Sequence, residues 1–231
     1  MKPIDAQARR AALKRSEIFQ SLSDGDIDAI AGRAIPRRVE RGAPILRRGA
    51  PNGGMIVVMS GRVRVSVVSE DGKEVTLNVL GPGQVLGEMS LLDGEASSAD
   101  VTAQEDCVLL VIERGQFLNL LRQNAELCLH LMAMLSRRLR QTNAALEDIA
   151  LLDLPTRLGR LLNRLAKDYG IPVRTGTRIE VKLSQKDLST LVGASREKVN
   201  KQIREWEDVG VLGKDSGRMV VVNAHALAPL Q

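Results

Sequence analysis

Between Ala125 and Leu152 the chain runs 28 residues without a glycine or a proline. As one continuous helix that stretch would be roughly 42 Å long. Within it Cys128, Met132, Leu135, Leu139, Thr142, Leu146 and Ile149 recur in alternating steps of four and three. That spacing is the a/d seam of a heptad pattern and predicts helix packed against helix, most simply a parallel pair of two copies. A single amphipathic helix lying on its own domain is the simpler alternative. The narrow seam, flanked by Arg137, Arg138, Arg140 and Gln141, favours the pair. One seam position is polar, Thr142, and Asn143 follows it. A polar pair halfway along a seam either fixes register or faces something placed there.

The rest of the chain is long enough for two modest domains and a connecting element at 231 residues. No apolar run approaches a membrane span, and the basic N-terminus (Lys2, Arg9, Arg10, Lys14, Arg15) has no apolar core behind it, so neither a signal peptide nor an anchor is expected. The two cysteines, Cys107 and Cys128, have no partner at metal-ligand spacing; no metal site is expected, and a reducing cytoplasm fits. Charge is uneven. From Leu154 onward there are 14 Lys/Arg against 8 Asp/Glu, a net of +6, whereas the first 153 positions hold 19 against 20, a net of −1. A basic C-terminal third predicts a polyanion partner for that third. With two Phe, one Tyr and one Trp in the chain, stacking on single strands is disfavoured and duplex DNA is the better match.

Residues 1 to about 35 read as helical, with Ile18, Phe19, Leu22, Ile27 and Ile30 as core candidates and Ser23-Asp24-Gly25-Asp26 as a helix start. From Val39 to Ile112 the pattern changes to short β-type runs divided by glycine. Arg62 to Val67 alternates strictly, as a strand with one buried face does, and Asp71-Gly72 predicts a tight hairpin before Val75, Leu77 and Val79. Many short strands at this spacing suggest a small jelly-roll-like barrel. Within it Gly83 to Leu92 breaks the alternation and fits one short helical turn starting near Gly87, followed by Ala96-Ser97-Ser98-Ala99. Free amides at such a turn suit an anion.

The run GQVLGEMSLLDGEASSADVTA, preceded by MIVVMSGRVRV, resembles the phosphate-binding cassette of the cyclic-nucleotide-binding domain, a β-roll flanked by helices that would cover roughly residues 19–125. By this resemblance Glu88 holds the ribose 2′-hydroxyl. The amides around Gly87 and Met89 and around Ser98–Ala99, with the Ser98 hydroxyl, meet the cyclic phosphate. One departure stands out: cyclic-AMP receptors place Arg immediately before the small hydroxyl residue, and this chain has Ser97. Losing a charge-assisted Arg–phosphate bond costs on the order of 1.5–3 kcal/mol, ten- to a hundredfold or more in affinity. Arg62, Arg64 and Lys73 are the candidates to supply a cation from a neighbouring strand. The expected cofactor is thus cyclic AMP bound weakly, another nucleotide such as cyclic di-GMP, or none.

RRLRQTNAALEDIALLD is similar to the long dimer helix of the catabolite-activator (CRP/FNR) family. There Thr142 and Asn143 would touch the adenine of cyclic AMP; setting register alone is the alternative role. Asp153-Leu154-Pro155 follows as a cap and first turn, the expected hinge, and Thr156 to Tyr169 is predicted helical, ended by Gly170-Ile171-Pro172. Ile179 to Leu183 alternates as a short strand. Ser184 caps the next helix in a capping-box arrangement with Asp187, Gly193 permits a sharp turn, and Ser195 caps a second helix. Val199, Ile203 and Trp206 fall on one side of that helix, and Arg196, Glu197, Asn200, Lys201 and Arg204 on the other. This is a helix-turn-helix pattern, with an ordinary helical hairpin as the alternative. Val209 to Leu212 and Met219 to Val222, joined by Lys214-Asp215-Ser216-Gly217-Arg218, form a wing with Lys214 and Arg218 placed for phosphate. LSQKDLSTLVGASREKVNKQIREWEDVGVL again resembles the CRP/FNR winged helix-turn-helix. There Arg196 would read guanine and Glu197 a cytosine amino group, and Lys201 stands where the catabolite activator has Arg.

The fold class expected is α+β: a jelly-roll-like β-roll sensor over 1–124, a dimerisation helix and hinge over 125–153, and a winged helix-turn-helix over 154–231. The expected protein is a cytoplasmic homodimeric transcription regulator on a palindromic duplex operator, with RNA polymerase as a further partner. Three rivals stand beside it: a ligand-independent member of the same family, a redox or haem member using His130, His225 and the cysteines, and an enzyme or signalling adaptor. No nucleophile–base pair, Walker loop or metal cluster favours catalysis.

Overall fold

The computed structural model describes residues 4–181 and 183–227. The chain divides into two compact units at Arg140 and Gln141, inside the long helix.

The first unit opens with α1 (Ala6–Arg15), a 3-10 turn (Glu17–Phe19) and α2 (Asp24–Arg33). Ser23 caps α2 by accepting from the Asp26 amide at 3.1 Å. Eight strands follow: β1 (Ile35–Val39), β2 (Pro44–Leu46), β3 (Gly54–Ser60), β4 (Val63–Val68), β5 (Glu74–Leu80), β6 (Val85–Leu86), then α3 (Glu88–Asp93), β7 (Asp100–Ala103) and β8 (Cys107–Glu113). α4 (Arg114–Gln123) and α5 (Ala125–Leu151) complete the run. The strands form two antiparallel four-stranded sheets, ordered β1-β8-β3-β6 and β2-β7-β4-β5. Side chains on successive strand positions point to opposite faces, and β3 uses both. Ile56 and Val58 join Val63, Leu80, Val101 and Leu109 in a core shared by the two sheets. Met55, Val57 and Met59 pack instead with Leu13, Phe19, Ile27, Ile30, Phe117, Leu127 and Leu131 of the helices. Phe19 and Phe117 meet edge to face, with centroids 6.2 Å apart. Of the expected N-terminal contacts Ile18, Phe19, Ile27 and Ile30 are buried, and Leu22 packs partly against them.

Two local expectations give way. The run Arg62–Val67 does not have one bare face: Ser66 is buried although β4 keeps an unshifted register with β7, and the register shift against β5 places its extra residue, Leu77, in β5. The Asp71-Gly72 hairpin is a longer connection: Ser69 donates its amide to the Lys73 carbonyl at 2.9 Å, with Gly72 at φ +78°.

α5 runs unbroken for 27 residues and carries apolar side chains on more than one face. Leu127 and Leu131 are buried in the helix-side core, with Met134 and Leu135 packed against it. Met132, Leu139, Leu146 and Ile149 are about half exposed or more. The helix thus lies on its own domain and leaves most of the seam uncovered.

In the second unit, α6 (Leu154–Tyr169) starts on an Asp153 cap that accepts from the Thr156 amide at 3.0 Å. Arg160 pairs with Asp148 of α5 at 2.7 Å. β9 (Gly170–Val173) and β10 (Gly176–Ile179) form a hairpin where a helix end and a later strand were expected. Pro172 fits β9 because β9 is the sheet edge, where a missing donor costs nothing. α7 (Gln185–Val192), α8 (Arg196–Asp208), β11 (Leu212–Asp215), β12 (Arg218–Val221) and α9 (Ala224–Leu227) follow. The core joins Leu158, Leu161, Leu162 and Leu165 to Leu188, Val199, Ile203 and Trp206.

Candidate functional site

The sensor-side candidates collect around the start of α3. Gly87 sits at φ +79°, and a Cβ there would lie 2.4 Å from Asn52 Nδ2 and 2.9 Å from the Gly54 carbonyl, so only glycine fits. Asn52 holds the turn by donating to the Gly54 carbonyl at 2.8 Å and the Gly87 carbonyl at 3.2 Å. Glu88 is buried. Its Oε1 accepts from Arg138 Nη1 of α5 at 2.5 Å, and Arg138 Nη2 also donates to the Val85 carbonyl. Glu88 Oε2 is equally buried and has no hydrogen-bond partner among the described residues. A buried, unpaired carboxylate oxygen is costly, and a ligand hydroxyl would satisfy it.

Across from α3, Ser97 is buried and its backbone is tied to a turn: its amide donates to the Ala50 carbonyl at 3.0 Å, and its carbonyl accepts from the Gly49 amide at 2.8 Å. Ser98 is exposed, with its hydroxyl 3.8 Å from the sulfur of the half-exposed Met89, while Ala99 is buried. Gly87, Glu88, Met89 and Ser98 are thus brought together. The three cations considered as substitutes for arginine at Ser97 each hold an acid: Arg62 pairs with Glu105 at 3.3 Å, Arg64 with Glu74 at 3.2 Å and Lys73 with Asp71 at 2.7 Å. Thr142 and Asn143 stand exposed on α5. Sequence reasoning saw Arg138 only as a seam flank; its signal was the four-residue step to Thr142, which puts both on one helix face. Asn52 gave no signal.

At the other end, Ser184 accepts from the Asp187 amide at 3.1 Å and Asp187 accepts from the Ser184 amide at 2.8 Å, the reciprocal capping box. Gly193 at φ +65° turns the chain, and Ser195 caps α8 through the Lys198 amide. Val199, Ile203 and Trp206 are buried, which leaves Arg196, Glu197, Lys201 and Arg204 exposed along the opposite face and Asn200 half-buried at its margin. The amphipathic division of α8 follows its 3.6-residue period. β11 and β12 then form the wing, narrower than expected: Lys214, Asp215 and Arg218 are strand residues, and Ser216-Gly217 alone make the turn, both at positive φ. Lys214 pairs with Glu207 at 2.8 Å and Arg218 with Glu180 at 2.7 Å. Arg178 bridges Glu180 and Asp215, and its hydrogen bond holds the Asp215 carboxyl below the ordinary carboxylate range. Among the described residues no helix is long and apolar enough to cross a membrane, and no cluster of three His, Cys, Asp or Glu side chains could hold a metal.

Comparison with known proteins matches these two regions separately. Residues 36–124 fit the cyclic nucleotide-binding domain family and residues 156–230 the Crp-like helix-turn-helix domain family. The cyclic AMP receptor protein of Thermus thermophilus is 31% identical over 215 residues, covering 93% of this chain and 96% of that protein. The chain belongs to the CRP/FNR family of transcription regulators. This CRP/FNR member is also 28% identical over 216 residues to the CRP-like cAMP-activated global transcriptional regulator of Mycobacterium tuberculosis, covering 94% of this chain and 96% of that one. Among solved structures, the c-di-GMP-responsive global regulator CLP of Xanthomonas campestris superimposes with a TM-score of 0.73 at 26% identity, covering 86% of this chain and 99% of that one. As a CRP/FNR protein, it combines a cyclic nucleotide-binding domain with a DNA-binding helix-turn-helix.

Proposed function

We propose that this regulator works as a homodimer: two chains pair along the uncovered face of α5 and present two α8 helices to successive major grooves of a palindromic duplex, about 34 Å apart. The observation that carries the reading is α8 itself, buried through Val199, Ile203 and Trp206 and exposing Arg196, Glu197, Lys201 and Arg204 to the other side. On this reading Arg196 and Glu197 contact base edges, Asn200, Lys201 and Arg204 extend that contact, and Ser184 and Ser195 place helix N-termini against phosphate. The exposed seam of Met132, Leu139, Leu146 and Ile149 supports the pairing. The protein is a cytoplasmic regulator and not an enzyme, acting with RNA polymerase.

The Glu88 site takes a ligand carrying a ribose-type hydroxyl, accepted by Glu88 Oε2, with the cyclic phosphate at the amides of Gly87, Met89, Ser98 and Ala99. Thr142 and Asn143 face its base. Any ligand that regulates must bind the two placements of the DNA-binding domains with different affinity. A second reading, a ligand-independent regulator, is favoured by one observation: Ser97 offers no charge, and Arg62, Arg64 and Lys73 are committed to carboxylates.

Selection from a random duplex pool, repeated with and without cyclic AMP, cyclic GMP and cyclic di-GMP, tests both parts. Inverted repeats with half-sites about one helical turn apart are expected; a single unrepeated half-site would contradict the dimer. Tighter operator binding with one nucleotide identifies the effector, and indifference to all three establishes the ligand-independent reading.

A further inference from the structure

The two cations flanking the wing turn each already hold a carboxylate, in different ways. Arg218 belongs to a set of four charges. Its Nη1 lies 2.7 Å from Glu180 Oε2 and also donates to the Glu180 carbonyl; Arg178 stands 2.7 Å from both Glu180 Oε1 and Asp215 Oδ2. Asp215 and Arg218 are cross-strand partners, so the set closes through the hairpin. Two arginines and two acids sum to zero, and Arg218 is thereby an anchor of the wing to the end of β10. Among the described residues Lys214 has a single acidic partner. The two carboxylate oxygens of Glu207, on the last turn of α8, lie 2.8 and 3.1 Å from its Nζ. The Lys214 side chain is 67% exposed and that of Glu207 26%, so the ammonium can change partner without leaving the surface.

We propose that Glu207 is a specificity-determining residue: its carboxylate holds Lys214 in the place of a DNA phosphate and releases it when a duplex is seated on α8. The proposal rests on reading Lys214 as a phosphate contact. An unpaired lysine beside the recognition helix attracts any duplex, because phosphate contacts carry no sequence information. Pairing it with Glu207 lowers that indiscriminate attraction. The exchange also has an ionic signature. A lysine that neutralises a phosphate releases close to 0.9 of a counterion, but a carboxylate left behind takes up part of a cation, so the net release at this contact falls below about 0.9. Removing the carboxylate restores the full release.

The experiment is fluorescence anisotropy with a random-sequence duplex, from about 50 to 200 mM salt, on wild type, Glu207→Gln, Lys214→Ala, the double variant and Glu207→Asp. Since exposed ion pairs are weak, Glu207→Gln should raise affinity by about two- to fivefold. It should also steepen the salt dependence by up to about one unit in log–log slope. Lys214→Ala should weaken binding, the double variant should match Lys214→Ala alone, and Glu207→Asp should stay near wild type. If Lys214→Ala weakens binding but Glu207→Gln changes nothing, the proposal fails and the phosphate contact stands. An equal gain from Glu207→Gln with Lys214 removed would make Glu207 a distant like charge and overturn the proposal. No effect of Lys214→Ala would overturn the phosphate reading itself, and the proposal with it.

Discussion

On α8, Arg196, Glu197 and Arg204 are exposed and have no ion-pair partner among the described residues, whereas Glu88 in the β-roll is buried and already bound to Arg138. The first arrangement keeps charged groups in water until a partner replaces that water. The second has desolvated its charge in advance and left one oxygen, Oε2, without a hydrogen-bond partner among the described residues. A nucleic-acid face of this kind tolerates single losses, each lowering affinity by a contact's worth. A buried pair does not, because removing one partner strands the other. The difference also separates what each end requires of the sequence: α8 needs residue types on a face, and the sensor needs one particular contact between residues 50 positions apart.

Breaking the buried pair should give the largest effect. Arg138→Leu leaves the Glu88 charge uncompensated and should destabilise the protein by about 3–5 kcal/mol in urea unfolding; adding Glu88→Gln should recover most of the loss. A loss that persists in the double variant would mean that Arg138 acts through its bond to the Val85 carbonyl instead.

Next comes the missing cation. Ser97→Arg should raise cyclic-nucleotide affinity by about ten- to a hundredfold, the worth of a charge-assisted phosphate bond of roughly 1.5–3 kcal/mol. Calorimetry showing no gain would mean that the β-roll no longer takes a cyclic phosphate.

On the exposed face, Arg196→Ala should cost about 1–3 kcal/mol in operator binding and relax the preference at one base pair. An unaltered sequence preference removes Arg196 from base reading.

The smallest effect concerns acid. Asp215 titrates below the ordinary carboxylate range in the folded protein because Arg178 donates to it. Its contribution to stability is therefore present above the unfolded carboxylate pKa and lost as pH falls through the folded value. Asp215→Asn should flatten the low-pH end of the stability profile and leave the neutral end little changed; an identical acid limb in the variant would show that Asp215 carries no such linkage.

Much of the frame was legible because it depends on local pattern. The glycine- and proline-free run ending at Leu152 became α5, one residue shorter. Ser184, Gly193 and Ser195 marked the bounds of α7 and α8 because caps and left-handed turns need particular residue types. The β9–β10 hairpin was hidden because Gly170-Ile171-Pro172 carries the marks of a helix end and also suits an edge strand. The burial of Ser66 depends on what covers that face of β4, which no window along one strand contains. Arg138, Asn52 and the wing's ion pairs were missed for a related reason: each is a contact between distant positions, and residue type alone does not choose among the many acids available to 33 lysines and arginines.

The central claim, two chains joined along α5 with two recognition helices on one duplex, is tested most directly by sedimentation equilibrium of the full chain with its selected duplex at micromolar concentration. Two chains per duplex are predicted, falling to one when Leu139→Glu and Leu146→Glu place charges on the exposed face of α5. A single chain per duplex for the wild type, with a monomer in its absence, would contradict the account.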